Sequence, residues 1–145
     1  MRFSDKVILI TGSGAGIGRA AALAFAREGA RVVVNSQSQA SGSETLDILR
    51  AAGNTALFVQ GDVSSNEDAR RMVEDTVRTF GRLDILINNA GIVLPGRVDN
   101  ISEDDWDRTF AVNVKGTYLV SRHAIAAMRQ TGGGAIVHVS SVAAQ

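Results

Sequence analysis

Short, continuously apolar runs alternate with helix-like segments along the chain, and this alternation constrains the fold more than any other feature. The runs cover residues 6–11, 31–34, 56–59, 84–88 and 135–140. A strand that is apolar at every position is buried on both faces, as in a parallel sheet covered by helices. The pattern therefore predicts an α/β protein with a doubly wound parallel sheet, right-handed crossovers and strand order 3-2-1-4-5.

Helical spacing and capping patterns mark the segments between the strands. After the first run, an apolar stripe at helical spacing is predicted to face the sheet; it comprises Ile17, Ala20, Ala21, Ala24 and Phe25. Ser64 and Glu67 have the spacing of a capping box and predict the start of the third helix. Ser102 and Asp105 predict the start of a long fourth helix that ends at the glycines of residues 132–134.

Composition narrows the class of protein. The 145 residues, of which 45% are hydrophobic, suit one domain spanning 1–145. Fifteen basic and fifteen acidic residues give no net charge, so we expect no nucleic-acid partner. The absence of cysteine excludes thiolate nucleophiles and Cys-built metal sites, and we expect no metal. No apolar run approaches the roughly 18 residues of a membrane span, and the N-terminal run is too short for a signal peptide, so we expect no membrane contact and a cytoplasmic location.

A glycine-rich turn, TGSGAGIG at residues 11–18, joins the first strand to the first helix. Glycines here let the backbone lie against a pyrophosphate, whose charge the amides at the helix N-terminus can meet. A P-loop is excluded because no Gly-Lys-Ser/Thr follows, and G-x-G-x-x-G fails because Ile17 occupies the third glycine position. The turn fits T-G-x-x-x-G-x-G in a Rossmann-like sheet; a purely structural tight turn is the alternative.

Polar residues also follow the third, fourth and fifth predicted strands. They are Asp62, the segment Asn88–Gly91 (NNAG), and the pair Ser140 and Ser141. Ligands of doubly wound sheets bind outside the carboxyl ends of the strands, near the point where the strand order reverses. The sequence therefore predicts one site at that edge of the sheet.

Together with Asn113, these motifs resemble the N-terminal portion of the short-chain dehydrogenases/reductases, over nearly the whole chain. Residues 32–35 and 106–116 are most similar to the 3-oxoacyl-carrier-protein reductases. The resemblance implies an oxidoreductase that transfers a hydride between NAD or NADP and a ketone or secondary alcohol, such as a 3-oxoacyl thioester. A methyltransferase on a similar sheet is disfavoured by the Asn-Asn-Ala-Gly and Ser-Ser elements together.

The resemblance also assigns residues to the cofactor. The implied contacts are Gly12, Ser13, Ala15, Gly16, Ile17, Gly18, Asn35, Ser36, Asp62, Val63, Asn89, Ala90 and Gly91. The Asp62 carboxylate is expected to accept from the adenine amino group; a loop or helix-capping aspartate is the alternative. Asn88 is expected to brace the sheet instead.

The implied catalytic residues are Ser141 and Asn113. Ser141 is expected to hydrogen-bond the substrate carbonyl oxygen, with Ser140 as the neighbouring candidate. Asn113 is a poor helix former, so we expect a local irregularity that frees a main-chain carbonyl to hold a water molecule. The resemblance implies that Asn113 is part of a proton relay; a buried asparagine bonded to backbone is the alternative. His138 is interpreted as a satisfied strand histidine, and His123 as a helix-surface or interface residue.

The family's Tyr-x-x-x-Lys, which supplies the proton donor, follows the serine further along the chain than Gln145. Tyr118 and Arg122 have similar spacing but precede the serine, so we reject them as that pair. We therefore expect the chain to be part of a longer enzyme and inactive alone, with an open apolar edge at the fifth strand. A homodimer or homotetramer is expected by resemblance, and a catalytically silent dinucleotide-binding module is the alternative function.

The end of the second predicted strand bears on the choice of cofactor. An acidic residue there would pair with the ribose hydroxyls and repel a 2′-phosphate, selecting NAD. Residues 35–38 are instead Asn-Ser-Gln-Ser, neutral and rich in hydrogen-bond donors, although no basic residue stands beside them. The sequence predicts NADP, with NAD as the alternative.

Overall fold

A parallel sheet of five strands forms the centre of the computed structural model, which describes residues 1–141. The strands are β1 (Val7–Ile10), β2 (Arg31–Ser36), β3 (Ala56–Gln60), β4 (Ile85–Asn88) and β5 (Ala135–His138). Their order is β3-β2-β1-β4-β5, and each neighbouring pair is parallel. The predicted α/β class and strand order are confirmed.

Helices cover both faces of this sheet. They are α1 (Gly16–Arg27), α2 (Gln39–Ala51), α3 (Asn66–Phe80), α4 (Glu103–Phe110) and α5 (Thr117–Arg129). A π-helical segment, Ala111–Gly116, joins α4 to α5. Within residues 1–141, every helix is too short or too polar to span a membrane.

Strand β1 shows why the alternation along the chain leads to three layers. Val7 and Leu9 belong to the core beneath α3 and α5, whereas Ile8 and Ile10 belong to the core beneath α1 and α2. All four side chains are fully buried. Because both faces of the sheet are covered, a ligand can reach it only at the strand ends.

The apolar stripe predicted for α1 is confirmed only in part, since Ala21 and Phe25 pack against the core and the other three residues are exposed. The residues of α1 that are buried are Gly18, Ala22 and Ala26, at a spacing of four, whereas Ile17 is 70% exposed. Small side chains on the buried line allow α1 to approach the sheet closely. The larger Ile17 stands at the N-terminus of α1, beside the glycine turn.

One of the two predicted helix starts is displaced by a residue. Ser65, not Ser64, caps α3, and its side chain accepts from the Asp68 N–H at 3.3 Å. The hydroxyl of Ser64 instead donates to Asp62 Oδ1 at 2.7 Å. Ser102 caps α4 as predicted, accepting from the Asp105 N–H at 3.1 Å.

A buried carboxylate ties the N-terminal ends of β1 and β4 together. Asp84 accepts from the Val7 N–H at 2.9 Å and from Arg82 Nη2 at 2.6 Å, and Lys6 Nζ lies 3.7 Å away. Burial alone would raise the pKa of the Asp84 carboxyl, but these three partners together hold its pKa below the ordinary value. These contacts hold the N-terminal ends of β1 and β4 together.

Strand β5 forms an open edge of the sheet in the part of the chain that the structure describes. It ends at His138, two residues earlier than predicted, and Val137 and Val139 are 50% and 43% exposed. Within residues 1–141, β5 pairs with β4 alone.

Candidate functional site

The glycine turn between β1 and α1 packs against the segment that follows β4. Gly12 has a φ of +63°, and a Cβ on it would lie 2.8 Å from the Cα of Ala90. A Cβ on Gly18 would collide with the Gly12 carbonyl oxygen and lie 2.6 Å from Asn89 Nδ2. Only glycine fits at these two positions, because larger residues would push the turn away from β4.

Thr11 and Asn89 fasten the turn to β4. The Thr11 hydroxyl accepts from the N–H groups of Asn89 and Ala90, each at 3.0 Å. The Asn89 side-chain amide donates to the carbonyl oxygens of Thr11 at 3.0 Å and Gly12 at 3.1 Å. The amide nitrogen of Asn89 thus holds the turn, which sequence reasoning had not assigned to it.

Asn35 fastens the same turn to β2 and β3. Its Oδ1 accepts from the Gly12 N–H at 3.2 Å, and its Nδ2 donates to the carbonyl oxygens of Val59 and Gly61, each at 3.2 Å. Only 1% of Asn35 is exposed. Fully buried Ser13 pairs with the Asn35 backbone in both directions, at 2.8 and 3.1 Å. The buried side chains of Asn35 and Ser13 therefore fix the position of the turn relative to β2 and β3.

Arg19 was not singled out from the sequence, yet it supports the turn from α1. Its Nε and Nη2 donate to the Gly14 carbonyl oxygen at 3.1 and 2.5 Å. Thr45 of α2 donates to the same oxygen at 3.1 Å, and Glu44 pairs with Arg19 at 2.7 Å. The Arg19 charge is therefore already neutralised.

A cleft of 360 Å³ opens at the carboxyl ends of the strands, where a ligand site was predicted. Eight of the predicted cofactor residues line it: Gly12, Ala15, Asn35, Ser36, Val63, Asn89, Ala90 and Gly91. The lining also contains residues outside the set of implied cofactor contacts: Gly14, Gln37, Ser38, Ser41, Gly61, Ile92, Arg108 and Val112. Such a volume is in the range of small-molecule pockets.

The other predicted cofactor residues lie around the cleft. Gly16, Ile17 and Gly18 form the first turn of α1, where Ala15 provides no side-chain cap and no acidic residue is present. Unsatisfied amides and the positive end of the helix dipole make such a terminus attractive to an anion. These three residues are thus placed to offer backbone amides to a ligand at Ala15.

Asp62 borders an adjacent cavity of 310 Å³ that shares Gln37 and Gly61 with the cleft. Its Oδ1 accepts from both the N–H and the hydroxyl of Ser64, at 2.8 and 2.7 Å, which is the geometry of a loop aspartate. The Asp62 N–H and the Arg71 guanidinium hold the pKa of Asp68 below its ordinary value. In this loop, Ser64 thus occupies Oδ1 of Asp62, and Asp68 occupies its backbone N–H.

Asn113 lies in the π-helical segment, so the irregularity predicted from this asparagine is confirmed. Its side chain pairs twice with the Ile92 backbone: Oδ1 accepts from N–H at 2.8 Å and Nδ2 donates to the carbonyl at 2.9 Å. Its main-chain carbonyl accepts from the Thr117 hydroxyl at 3.1 Å. Asn113 is half-buried and holds the wall of the cleft at Ile92 through these backbone contacts.

The remaining candidates lie at or beyond the strand ends. Ser141, the last described residue, follows β5 at the same edge as Asn89. His138 Nδ1 is 3.2 Å from Asn88 Nδ2, which confirms a satisfied strand histidine. His123 lies on α5, 3.0 Å from Asn66, on the helix surface as predicted.

The topology and the cleft define a Rossmann-like α/β protein with a glycine turn at its ligand edge. Residues 6–145 match the family model for short chain dehydrogenases, and the chain belongs to that family.

Known relatives agree with this placement. An uncharacterised oxidoreductase of Thermotoga maritima is 52% identical over 143 residues, covering 99% of this chain and 56% of the relative. Versicolorin reductase 1 of Aspergillus parasiticus is 40% identical over 141 residues, covering 97% and 53%. A short chain dehydrogenase from Mycobacterium avium of known structure superposes with a TM-score of 0.93 at 38% identity, covering 99% and 55%. The chain spans about half the length of these relatives.

Proposed function

We propose that this chain binds NADP in the cleft and serves an oxidoreductase that interconverts a ketone and a secondary alcohol. The observation that carries the proposal is the glycine turn, which is fastened to β2, β3 and β4 and leaves the first turn of α1 open. Two named relatives are an oxidoreductase and a reductase, which supports the reaction class.

The shape of the turn fits a dinucleotide pyrophosphate. At Gly12 and Gly18 a Cβ would meet backbone or amide atoms, so the absence of side chains there lets the turn pack tightly on the segment after β4. A Cβ on Gly16 would meet no atom within 4 Å, so this residue faces open space. The amides of Gly16, Ile17 and Gly18 would hold the phosphates, and Val63 with Ala90 would flank the adenosine half. When bound, the nicotinamide ring supplies or accepts the hydride.

Ser141 and Asn113 have separate roles in this proposal. The Ser141 hydroxyl would donate to the substrate carbonyl oxygen and stabilise the negative charge that develops there. Asn113 would keep Ile92 and the π-helical segment in place and present its main-chain carbonyl to a proton relay. For that, the Thr117 hydroxyl must share the carbonyl oxygen with a water molecule, as its two lone pairs allow.

Titration and turnover together test the proposed function. We expect the whole protein to bind NADP with a stoichiometry of one per chain and to oxidise NADPH when a ketone substrate is supplied. Binding without turnover across a panel of ketones and secondary alcohols would favour the catalytically silent module. An absence of dinucleotide binding would contradict the proposal altogether.

The preference for NADP should depend on Ser36. Asn35 lines the cleft but is 1% exposed, so Ser36, the last residue of β2, is the first cleft residue of this segment with a partly exposed side chain. Neither Gln37 nor Ser38 adds an acidic group. We expect Ser36→Asp to weaken NADP binding roughly tenfold to a hundredfold while NAD binding is retained or improved, since a carboxylate repels the 2′-phosphate and accepts from ribose hydroxyls. Titration of both cofactors measures the change.

Ser36→Asn provides the matched control, because it has the size of aspartate without the charge. Its ratio of NADP to NAD affinity should stay within about threefold of the parent ratio, a difference under ~1 kcal/mol. Parent protein that binds NADH more tightly than NADPH would contradict the choice of NADP.

We further propose that the protein self-associates as a dimer or tetramer through the outer face of α4 and α5. Trp106, Phe110, Val114 and Tyr118 recur at a spacing of four and are 46–57% exposed. Trp106 stacks on Phe110 with ring centroids 4.8 Å apart, and Phe110, Val114 and Tyr118 border a groove of 450 Å³. Exposed apolar surface of this kind is typical of an interface.

Sedimentation of the whole protein tests this interface. We expect an oligomer that Phe110→Lys converts to a smaller species, because an ammonium would be buried in an apolar contact. A monomeric parent protein would contradict the proposal.

A further inference from the structure

The cleft has a neutral lining with one exception. Among its lining residues within 1–141, Arg108 of α4 carries the one charged side chain; the others are glycines, small or amide residues and aliphatic residues. Arg108 is exposed and stands one helical turn before Val112, which is 7% exposed and also lines the cleft. A guanidinium therefore stands at the mouth of an otherwise uncharged cleft.

No partner within the described part of the chain neutralises this guanidinium. The ion pairs and side-chain hydrogen bonds of residues 1–141 leave Arg108 without an acceptor, although Asp104 and Asp105 precede it by about one turn of α4. By contrast, Arg19, the arginine nearest the glycine turn, is bonded to Gly14 and Glu44. Arg108 is thus the cation of the cleft that remains available to a ligand.

Its position along the helix assigns Arg108 to one end of the cleft. Arg108, Val112 and Gly116 follow one another at a spacing of four through α4 and the π-helical segment, so they lie on one side of this continuous helix. A Cβ on Gly116 would lie 2.7 Å from Val63 Cγ2, so this line faces the segment after β3. Val63, Ile92 and Val112 therefore form an apolar wall beside Arg108, at the end of the cleft next to Asp62.

We propose that Arg108 is a cofactor-binding residue whose guanidinium stacks on the adenine ring of the bound dinucleotide. The inference rests on the proposed function, since it requires a dinucleotide in the cleft. A guanidinium is planar and weakly hydrated, so it stacks on an aromatic face at lower desolvation cost than an ammonium. The aliphatic wall offers the opposite face of the ring a contact without polar competition, and the ring's π-electrons attract the cation.

A panel of ligands tests this assignment by separating the two halves of the cofactor. Dissociation constants of 5′-AMP, NAD, NADP and nicotinamide mononucleotide are measured by titration for parent protein, Arg108→Met and Arg108→Lys, all as the full chain. Methionine keeps the length and apolar stem of the side chain but removes the planar cation. We expect Arg108→Met to weaken the three adenine-containing ligands by a common factor of roughly three to thirty, with the mononucleotide unchanged.

Two controls define the cause of any change. Arg108→Lys should recover only part of the loss, because the ammonium retains the charge without the planar group. Arg27→Ala, at the exposed C-terminal end of α1, removes the same charge far from the cleft and should leave all four constants unchanged. Thermal melts of each variant establish that the fold is intact.

Several results would overturn the assignment. A loss confined to NADP would identify a contact with the 2′-phosphate, and an equal loss for the mononucleotide would identify a phosphate contact common to all four ligands. Unchanged constants in Arg108→Met would exclude any contact. If parent protein binds none of the adenine nucleotides, the proposed function fails and the assignment fails with it, whereas a failure confined to the variants leaves the proposed function standing.

Discussion

Replacing Gly18 by alanine should weaken dinucleotide binding by about a hundredfold. The new methyl group would collide with the Gly12 carbonyl oxygen and lie 2.6 Å from Asn89 Nδ2 and 2.8 Å from the Ser13 Cα. These are backbone atoms or a bonded amide, so they cannot rotate away, and the turn itself must shift. Overpacking of this kind costs about 1–3 kcal/mol in stability. If the shifted turn loses a similar free energy of binding, the affinity for the dinucleotide falls on the order of a hundredfold.

Gly53→Ala is the matched control, since it adds the same methyl group at a site without steric conflict. Gly53 has a φ of +79°, and no heavy atom lies within 4 Å of its added Cβ. We expect a stability loss of about 1 kcal/mol from the left-handed backbone and an unchanged affinity for NADP. A Gly18→Ala variant that binds within twofold of the parent would show that the close approach of turn and helix does not shape the site.

Replacing Asn35 by aspartate should be strongly destabilising although the two side chains are isosteric. Asn35 Nδ2 donates to the carbonyl oxygens of Val59 and Gly61, and the residue is 1% exposed. A carboxylate there would face two carbonyl oxygens as an unpaired buried charge, at a cost of about 3–5 kcal/mol at neutral pH. Urea denaturation of parent and variant measures the difference.

The pH dependence of Asn35→Asp identifies the cause. Burial and the facing carbonyls would raise the pKa of the new carboxyl in the folded state above its unfolded value. The destabilisation should therefore be greatest above the folded-state pKa and diminish as pH falls through it, because the protonated group can donate to one carbonyl again. Asn100→Asp on the exposed loop, where Asn100 Oδ1 accepts from the Arg97 N–H, keeps its acceptor and should leave stability unchanged. A variant of Asn35 as stable as that control would contradict the structural role of the amide.

The strand order and the edge that carries the site could be predicted because both follow from local patterns. Apolar runs buried on both faces require helices on each side, and right-handed crossovers then fix which strand ends lie together. The spacing of Gly12, Gly16 and Gly18 placed the turn correctly for the same reason.

Local patterns could not predict which of the site residues hold the turn in place through their side chains. The resemblance assigns Asn35 and Asn89 to the cofactor, yet each side chain is bonded to backbone on neighbouring segments. Those partners lie at least 23 residues away in sequence, beyond any local pattern. The stripe on α1 was only partly right because helical spacing alone does not reveal that Gly18 and Ala22 occupy the buried positions.

Arg108 illustrates a signal that the sequence did contain. Its spacing of four from Val112 and of eight from Gly116 places the three residues on one line of a helix. Which side of the helix faces the cleft depends on the π-helical segment and on the contact between Gly116 and Val63, both of which are tertiary features.

Amide hydrogen exchange with and without NADP tests the central claim most directly, because it locates binding without requiring turnover. We expect slower exchange at residues 12–18 and 89–92 when NADP is added, and unchanged exchange in the groove between α3 and α5, whose lining includes Val77 and His123. Protection that is absent at the glycine turn, or that is confined to another surface, would contradict a dinucleotide site in this cleft.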